Sequence, residues 1–249
     1  MATKPPSRRE LAARLLPLLD LTSLGEDDTP DRIAVLCASA RTPFGVPAAI
    51  CVHPEHVTTV ARAMHDTPVR VATVVNFPDG GDDEGRVVRE TRRAIAAGAH
   101  EIDAVLPYGA FRAGRVDDAR RVVDACRAAC ADGVVLKLIL ETGELSDPDA
   151  IRRASLLGID AGVDFLKTST GKASVNATPH AAAVMLDAIA ESRTGCGFKA
   201  AGGIRTIDDA AMYVALAEAR LGTAFVAPRR FRIGASALFV ELRDALAAR

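Results

Sequence analysis

Residues 164–172 are Asp164-Phe165-Leu166-Lys167-Thr168-Ser169-Thr170-Gly171-Lys172, a short apolar run that ends at a lysine and is followed by a glycine. The apolar pair is typical of the end of a buried strand, and the glycine predicts a tight turn directly after it. Lys167 then lies at the tip of that strand. An ammonium group in apolar surroundings is costly unless a carboxylate pairs with it or it loses its proton. The stretch therefore predicts either a nucleophilic amine or an internal ion pair.

Apolar runs of this kind recur along the chain at a spacing of roughly 30 residues, the length of one strand–helix unit. Helical patterns of apolar residues lie between them, and we expect eight such units. An open doubly wound sheet would favour a glycine-rich phosphate loop after the first strand, but residues 19–23 contain no glycine. The sequence therefore predicts an α/β fold, a single (β/α)8 TIM barrel over residues 1–249 with a polar N-terminal tail at residues 1–10. The predicted strands are Leu15–Leu21, Ala48–Val52, Val69–Val75, Glu101–Leu106, Val134–Leu140, Asp164–Thr168, Gly197–Ala201 and Phe231–Gly234.

The chain uses lysine sparingly, with five lysines against 26 arginines. Four of the five lysines lie in or beside apolar runs, namely Lys137, Lys167, Lys172 and Lys199. A guanidinium group stays protonated, whereas an amine can lose its proton and form a Schiff base. We therefore expect amine chemistry at the few positions occupied by lysine.

The bulk properties exclude several classes of function. The formal net charge is −1, with both signs spread along the chain, so a nucleic-acid or anionic membrane surface is not expected. No apolar run approaches the length of a membrane span, and residues 1–10 lack the apolar core of a signal peptide. The five cysteines are scattered, and no set of metal ligands is evident. We expect a cytoplasmic protein with reduced thiols, no metal and no cofactor.

In a barrel of this type the catalytic side chains belong at the carboxyl ends of the strands. Asp103 lies within an apolar run, and alternation along the strand points its side chain into the barrel. Lys199 lies one strand further on than Lys167, and two ammonium groups on adjacent strand ends lower the pKa of the less compensated one. The three residues predict a nucleophile with proton-transfer partners. The alternative is a set of Asp–Lys ion pairs that only fills the barrel.

Glycines after the last two predicted strands indicate a phosphate site. Many barrels bind phosphate with backbone N–H groups of these two loops and the N-terminus of the following helix. Gly202 and Gly203 follow the seventh strand, and Gly234 and Ser236 are at the end of the eighth. Ser236 is expected to donate its hydroxyl to the phosphate and to cap the last helix. Together with the lysines, the pattern predicts Schiff-base chemistry on a phosphorylated carbonyl compound.

Five further polar side chains near strand ends have predicted roles. Lys172 is expected to bind phosphate, and Thr22 to hold a substrate hydroxyl. Lys137 and Glu141 are expected to form a structural pair on the fifth strand. Cys51 is expected to be a packed thiol near the mouth of the barrel.

Seven motifs resemble those of the deoxyribose-phosphate aldolases, and the resemblance covers nearly the whole chain. It implies a metal-independent class I aldolase that interconverts 2-deoxy-D-ribose 5-phosphate with acetaldehyde and D-glyceraldehyde 3-phosphate. It also implies a homodimer. The motifs are Asp20-Leu21-Thr22, Ala49-Ile50-Cys51-Val52, Asn76-Phe77-Pro78, Leu140-Glu141-Thr142-Gly143-Glu144-Leu145, residues 165–171, residues 198–206 and residues 231–236.

The resemblance implies roles for individual residues. Matched motif by motif, Lys167 would be the Schiff-base lysine, and Asp103 and Lys199 its proton-transfer partners. The residues expected to bind the substrate are Thr22, Thr170, Gly171, Lys172, Gly202, Gly203, Gly234 and Ser236.

Three positions depart from the family's motifs. Ala200 stands where members often have proline, and Ala237 stands where they often have a second serine. Some members end in a flexible tail with a terminal tyrosine that assists proton transfer, but this chain ends in Ala247-Ala248-Arg249. We expect the protein to be active without that tyrosine, with protons moving through Asp103, Lys199 and water.

Two other functions fit the same pattern. One is a Schiff-base lyase that acts on a different phosphorylated sugar, which would form adducts with dihydroxyacetone phosphate and not with acetaldehyde. The other is a non-catalytic barrel that binds sugar phosphates and forms no adduct.

Overall fold

The computed structural model describes residues 6–130, 133–145 and 147–248, and within them eight parallel strands close into a barrel in chain order. The last strand pairs with the first, where Gly234 lies opposite Asp20. This closed arrangement confirms the predicted (β/α)8 TIM barrel. The strands are β1 Leu19–Ser23, β2 Ala49–Val52, β3 Arg70–Val75, β4 Glu101–Val105, β5 Val135–Ile139, β6 Phe165–Lys167, β7 Gly197–Ala201 and β8 Phe231–Ala235.

Helices follow the strands and cover the outside of the barrel. Six of the described helices begin after residues whose side chains accept a hydrogen bond from the first turn, namely Ser7, Thr29, Asp83, Asp147, Thr178 and Thr206. None of the described helices has the length and apolarity needed to cross a membrane. The helices are α1 Arg8–Leu15, α2 Pro30–Ala40, α3 Val57–Ala63, α4 Glu84–Ala96, α5 Tyr108–Arg112, α6 Val116–Ala129, α7 Thr142–Leu145, α8 Pro148–Asp160, α9 Pro179–Ser192, α10 Ile207–Leu221 and α11 Ala237–Ala247, with short 3-10 turns at Leu16–Leu18, Pro54–His56 and Thr223–Phe225.

The start of the chain differs from the prediction. The first strand begins at Leu19 and not at Leu15, because Leu15 ends helix α1 and a 3-10 turn separates the two. Ser7 caps that helix and Glu10 bonds back to the Ser7 backbone, which is a capping box. The predicted polar tail of residues 1–10 is therefore too long, since its last three residues lie in the first turn of α1; residues 1–5 lie outside the described residues.

The apolar core lies between the strands and the helices, while the inside of the barrel is divided into two parts. Small apolar side chains of β2 and β3 fill one part, namely Ala49, Cys51, Ala72 and Val74. The other part contains buried charged side chains of β1 and of β4 to β8. This division places the charged groups directly beneath one side of the barrel mouth.

Candidate active site

A cavity of about 340 Å³ opens at the carboxyl ends of the strands, and Lys167 lines it. The loops after β6, β7 and β8 form most of its wall. All eight side chains or glycines predicted to bind substrate line this same cavity, namely Thr22, Thr170, Gly171, Lys172, Gly202, Gly203, Gly234 and Ser236. Arg205 and Asn176 also line it, although no role was predicted for them from the sequence.

Lys167 is held at the floor of the cavity by a buried carboxylate. Its side chain is 3% exposed, and its Nζ lies 2.8 Å from Oδ2 of Asp103. The Nζ of Lys199 lies 2.7 Å from the same oxygen. Lys137 donates to the other oxygen, with its Nζ 2.7 Å from Oδ1. Asp103 thus joins three lysines, and it points into the barrel as the strand alternation predicted.

The carboxylate and the three lysines belong to a larger ion-pair network. Lys199 also contacts Asp20, at 2.5 Å, and Lys137 also contacts Glu101, at 2.6 Å. Arg232 closes the network by pairing with both of those carboxylates, at 2.6 Å and 2.9 Å. We call the seven buried members the ion-pair network: Asp20, Glu101, Asp103, Lys137, Lys167, Lys199 and Arg232. Arg70 of β3 lies outside this buried set, because its side chain is 42% exposed and its Nε reaches Glu101 only at 3.9 Å.

The charges of the ion-pair network are arranged by strand. Its three carboxylates come from β1 and β4, and its four cations come from β5 to β8. With every member ionised the network carries a formal charge of +1, and with one lysine neutral it carries none. Burying the network costs less free energy when its net charge is zero than when it is +1, so the state with one neutral lysine is favoured.

Lys167 is the lysine whose environment favours the neutral amine. Burial lowers its pKa, the charge of Lys199 lowers it further, and the single carboxylate of Asp103 opposes both. Burial also acts on Lys199, but there the carboxylates of Asp103 and Asp20 outweigh it and raise the pKa. The charge of Lys199 acts on Lys167 in the predicted direction, although burial lowers this pKa more than the repulsion does. A neutral amine at the floor of a cavity can attack a carbonyl carbon.

Glycine is required where the ion-pair network meets the wall of the cavity. Gly234 lies on β8, and a Cβ built on it would come 2.9 Å from Cε of Lys199. A side chain here would therefore displace the lysine from its two carboxylates. Gly234 leaves the space through which Lys199 reaches them.

The predicted pair of Lys137 and Glu141 is wrong. Lys137 points into the barrel and joins the ion-pair network, whereas Glu141 accepts hydrogen bonds from Thr170. Strand β5 ends at Ile139, so the alternation of side chains does not extend to Glu141. The carboxylate therefore points away from the lysine.

The prediction that Ser236 caps the last helix is also wrong. Ser236 precedes α11, but its side chain accepts no hydrogen bond from the first turn, and its backbone has φ −106° and ψ −56°. A capping residue needs an extended backbone to bring its oxygen over the helix end. The exposed Ser236 lines the cavity instead.

Two other predicted residues at the cavity already have hydrogen-bond partners. The hydroxyl of Thr22 donates to the carbonyl of Asp20 at 2.8 Å, which leaves its oxygen free to accept a bond. The ammonium group of Lys172 donates to the carbonyl of Leu24 at 2.8 Å, and so reaches from the loop after β6 to the loop after β1. Cys51 is buried beside Asp103 and the lysines, as a packed thiol whose pKa burial raises.

Four members of the ion-pair network were given no role in the sequence analysis or were given a different one. Glu101 lies two residues before Asp103 and therefore points into the barrel with it, which alternation along β4 could have indicated. Arg232 likewise lies two residues before Gly234 on β8. Lys137 lies on β5 directly opposite Asp103 of β4, whereas Asp20 of β1 meets Arg232 of β8 only because the barrel closes. No group of three or more His, Cys, Asp or Glu side chains is placed to hold a metal ion within residues 6–130, 133–145 and 147–248.

Comparisons with known proteins agree on one family. The family described as DeoC/LacD family aldolase matches residues 15–238. The chain is 51% identical to a deoxyribose-phosphate aldolase of Agrobacterium fabrum over 240 residues, which are 96% of this chain and 93% of that protein. A crystal structure of a candidate deoxyribose-phosphate aldolase from Coccidioides immitis is 31% identical, with a TM-score of 0.80, and the match covers 97% of this chain and 89% of that one. A candidate deoxyribose-phosphate aldolase from Toxoplasma gondii shares the fold at 23% identity, with a TM-score of 0.88 over 96% of this chain and 95% of that one.

Proposed function

Since the chain belongs to the DeoC/LacD family of aldolases, we infer that it is a deoxyribose-phosphate aldolase. The reaction is the reversible cleavage of 2-deoxy-D-ribose 5-phosphate to acetaldehyde and D-glyceraldehyde 3-phosphate through a lysine Schiff base. The observation that carries this function is the lysine of lowered pKa at the floor of a polar cavity, 2.8 Å from a buried carboxylate. The protein is accordingly a class I aldolase, a carbon–carbon lyase.

We propose that the amine of Lys167 attacks C1 of the open-chain sugar aldehyde and forms a carbinolamine. Loss of water from the carbinolamine requires a proton, and the ammonium group of Lys199 supplies it through Asp103. Support for this assignment comes from the oxygen that the two lysines share, since both Nζ atoms lie within 2.8 Å of Oδ2 of Asp103. The product is an iminium ion on Lys167.

The iminium ion then acts as the electron sink for bond cleavage. As the C3 hydroxyl loses its proton, the electron pair of the C2–C3 bond moves toward the nitrogen, and glyceraldehyde 3-phosphate leaves. The enamine that remains on Lys167 takes up a proton at C2. Water hydrolyses the resulting iminium ion to acetaldehyde, and this step restores the free amine.

We propose that the loops after β7 and β8 hold the phosphate. Gly202 and Gly203 have positive φ angles of 93° and 81°, a conformation in which backbone N–H groups can approach an anion without side-chain hindrance. Gly234, Ser236 and Lys172 complete the phosphate site, and all five line the same cavity as Lys167. The sugar portion then lies between the phosphate and the amine, beside Thr22, Thr170 and Gly171.

Reductive trapping with acetaldehyde tests the function and the nucleophile together. Incubation with acetaldehyde and borohydride is expected to add one ethyl group to the intact protein, and peptide mapping is expected to place it on Lys167. Lys137 and Lys199 serve as internal controls, because their carboxylate partners raise their pKa values and keep them protonated. Protein that binds 2-deoxyribose 5-phosphate but gains no ethyl group would be a non-catalytic sugar-phosphate barrel. An adduct with dihydroxyacetone phosphate and none with acetaldehyde would indicate a different Schiff-base lyase.

Lys199→Leu is expected to slow adduct formation at neutral pH and to shift it to higher pH. The charge of Lys199 lowers the pKa of Lys167, so its removal raises that pKa and reduces the neutral fraction of the amine. The rate of trapping with acetaldehyde, measured from pH 6 to pH 10, is expected to be severalfold below the wild-type rate at neutral pH. It is expected to recover only in part as the pH rises, because the higher pH restores the neutral amine but not the proton that Lys199 supplies. A variant that formed the adduct at the wild-type rate at neutral pH would contradict this role of Lys199.

We further propose that the protein is a single domain that forms a homodimer in the cytoplasm. The dimer is supported by family resemblance alone. The cytoplasm is supported by the five cysteines, which are all unpaired, because disulfides are rare in that compartment. Sedimentation equilibrium of the purified protein is expected to give twice the chain mass of 26.1 kDa, and a single chain mass would contradict the dimer.

A further inference from the structure

Glu141 is a buried carboxylate outside the ion-pair network, and the reaction scheme above does not use it. Its side chain is 2% exposed, and burial raises its pKa, while hydrogen bonds from Thr170 and, to a smaller extent, the charge of Lys167 oppose that effect. Its backbone has a φ of 53°, in the left-handed region that is costly for a residue with a side chain. Such a conformation persists only where the surrounding contacts hold it.

The carboxylate holds the loop after β6 at two successive points. The backbone N–H of Thr170 donates to Oε2 of Glu141 at 3.2 Å, and the hydroxyl of Thr170 donates to the same oxygen. The hydroxyl oxygen of Thr170 in turn accepts a hydrogen bond from the N–H of Lys172 at 3.0 Å. Glu141 thereby fixes two residues that line the cavity beside Lys167.

Helix α7, which begins one residue after Glu141, contacts the same loop at a second place. A Cβ built on Gly143 would lie 2.1 Å from the carbonyl oxygen of Val175, so only glycine allows the two backbones to approach this closely. The next residue, Asn176, lies against Gly202, where a Cβ would come 2.6 Å from its Oδ1. The contacts therefore run from the turn after β5, through the loop after β6, to the glycines after β7.

We propose that Glu141 is a positioning residue that holds Thr170 and Lys172 in place for the phosphorylated substrate and takes no part in the amine chemistry. Lys167 is supported from below by Asp103, whereas the loop beside it is supported by Glu141. The two supports share no hydrogen bond in the described part of the chain. Loss of Glu141 therefore weakens binding of the sugar phosphate much more than it changes the reaction of Lys167 with acetaldehyde, which carries no phosphate. Glu141 acts on Lys167 only through a charge interaction that ranks below burial and the Thr170 hydrogen bonds. The proposal rests on the proposed function, because it takes a phosphorylated sugar as the substrate.

The test measures two quantities in each variant: KM for 2-deoxyribose 5-phosphate, and the rate of borohydride trapping with acetaldehyde. Glu141→Ala is expected to raise KM by about tenfold or more, because Thr170 loses a charged acceptor for two hydrogen bonds. Glu141→Gln retains an oxygen that can accept them, so a smaller rise is expected. Both variants are expected to trap acetaldehyde at close to the wild-type rate, and any change in that rate is expected to be much smaller than the change in KM.

Gly143→Ala tests the same support without changing the carboxylate. Its added methyl group would push against the backbone of Val175, and we expect a rise in KM with an unchanged trapping rate. If Glu141→Ala does not fold, KM and the trapping rate of Gly143→Ala and Glu141→Gln test the proposal instead. Glu144→Gln is the matched control for the carboxylate, since Glu144 lies three residues after Glu141, in α7, but pairs with Arg112 at the surface. Gly109→Ala is the matched control for the glycine, since a Cβ there meets no atom within 4 Å.

An unchanged KM in Glu141→Ala and Gly143→Ala would overturn the proposal. A trapping rate that falls as far as KM rises would also overturn it, because Glu141 would then act on Lys167. The dissociation constant of 2-deoxyribose 5-phosphate is measured by calorimetry, which does not require catalysis. The positioning role of Glu141 can therefore be tested separately from the proposed aldolase function. If the wild-type protein traps no acetaldehyde, the aldolase function fails, while a weaker dissociation constant in Glu141→Ala still supports the positioning role.

Discussion

Lys167→Arg is expected to abolish cleavage of 2-deoxyribose 5-phosphate, with a loss in kcat/KM of at least about 10⁴-fold. A guanidinium group keeps the positive charge and can still pair with Asp103, but it does not lose its proton and cannot form the Schiff base. The variant therefore removes the nucleophile and retains the cation. No ethyl group is expected on residue 167 after trapping with acetaldehyde.

Lys167→Met removes both the nucleophile and its positive charge, so comparison with Lys167→Arg shows the effect of the charge alone. It is expected to be as inactive as Lys167→Arg, but it leaves the ion-pair network with three cations and three carboxylates. Thermal unfolding and circular dichroism of both variants establish that they are folded. Substantial aldolase activity in either folded variant would eliminate the scheme.

Asp103→Asn is expected to have the second-largest effect, since it removes the carboxylate that joins three lysines. Loss of the proton-transfer group is expected to lower kcat by about 10²-fold to 10⁴-fold. Leaving buried cations without their partner is expected to lower the free energy of unfolding by about 3–5 kcal/mol. Steady-state kinetics and thermal unfolding measure the two effects.

The pH dependence distinguishes Asp103→Asn from Lys199→Leu. The charge of Asp103 raises the pKa of Lys167, so its removal lowers that pKa and leaves the amine more readily neutral. The variant is slow because proton transfer is lost, and raising the pH does not restore its rate. Asp187→Asn is the control, because Asp187 pairs with Arg220 at the surface and such pairs contribute about 1 kcal/mol or less. A wild-type kcat in Asp103→Asn would show that Asp103 only fills the barrel.

The fold was predictable from the sequence because each strand–helix unit repeats the same pattern of burial. The prediction failed at β1, where the leucines from Leu15 to Leu21 fit a strand and a helix equally well. Ser7 and Glu10 form the capping box that would have indicated the helix. The short helices α5 and α7 were not predicted either, since five and four residues are too few to establish a helical period.

Eight of the residues around the cavity were predictable because they lie at or just after strand ends in recognisable motifs, whereas Asn176 and Arg205 were not. The ion-pair network was not, since its pairs join residues as far apart in the chain as Asp20 and Arg232. Such pairs depend on the register and closure of the barrel, which the sequence pattern does not specify. The direction of the Glu141 side chain was likewise not predictable, because it depends on the residue at which β5 ends.

The distribution of charge along the chain has a consequence for how the two halves of the barrel recognise each other. A half-barrel of β1 to β4 contributes only carboxylates to the buried ion-pair network, and a half-barrel of β5 to β8 contributes only cations. The one cation of the first half that reaches these carboxylates, Arg70, is 42% exposed and lies 3.9 Å from Glu101. Two copies of the same half would bring like charges together in a desolvated interior, which is unfavourable. Each half is therefore complementary to the other and not to itself. The charges that prepare an amine for catalysis also disfavour mispairing of half-barrels between copies of the chain.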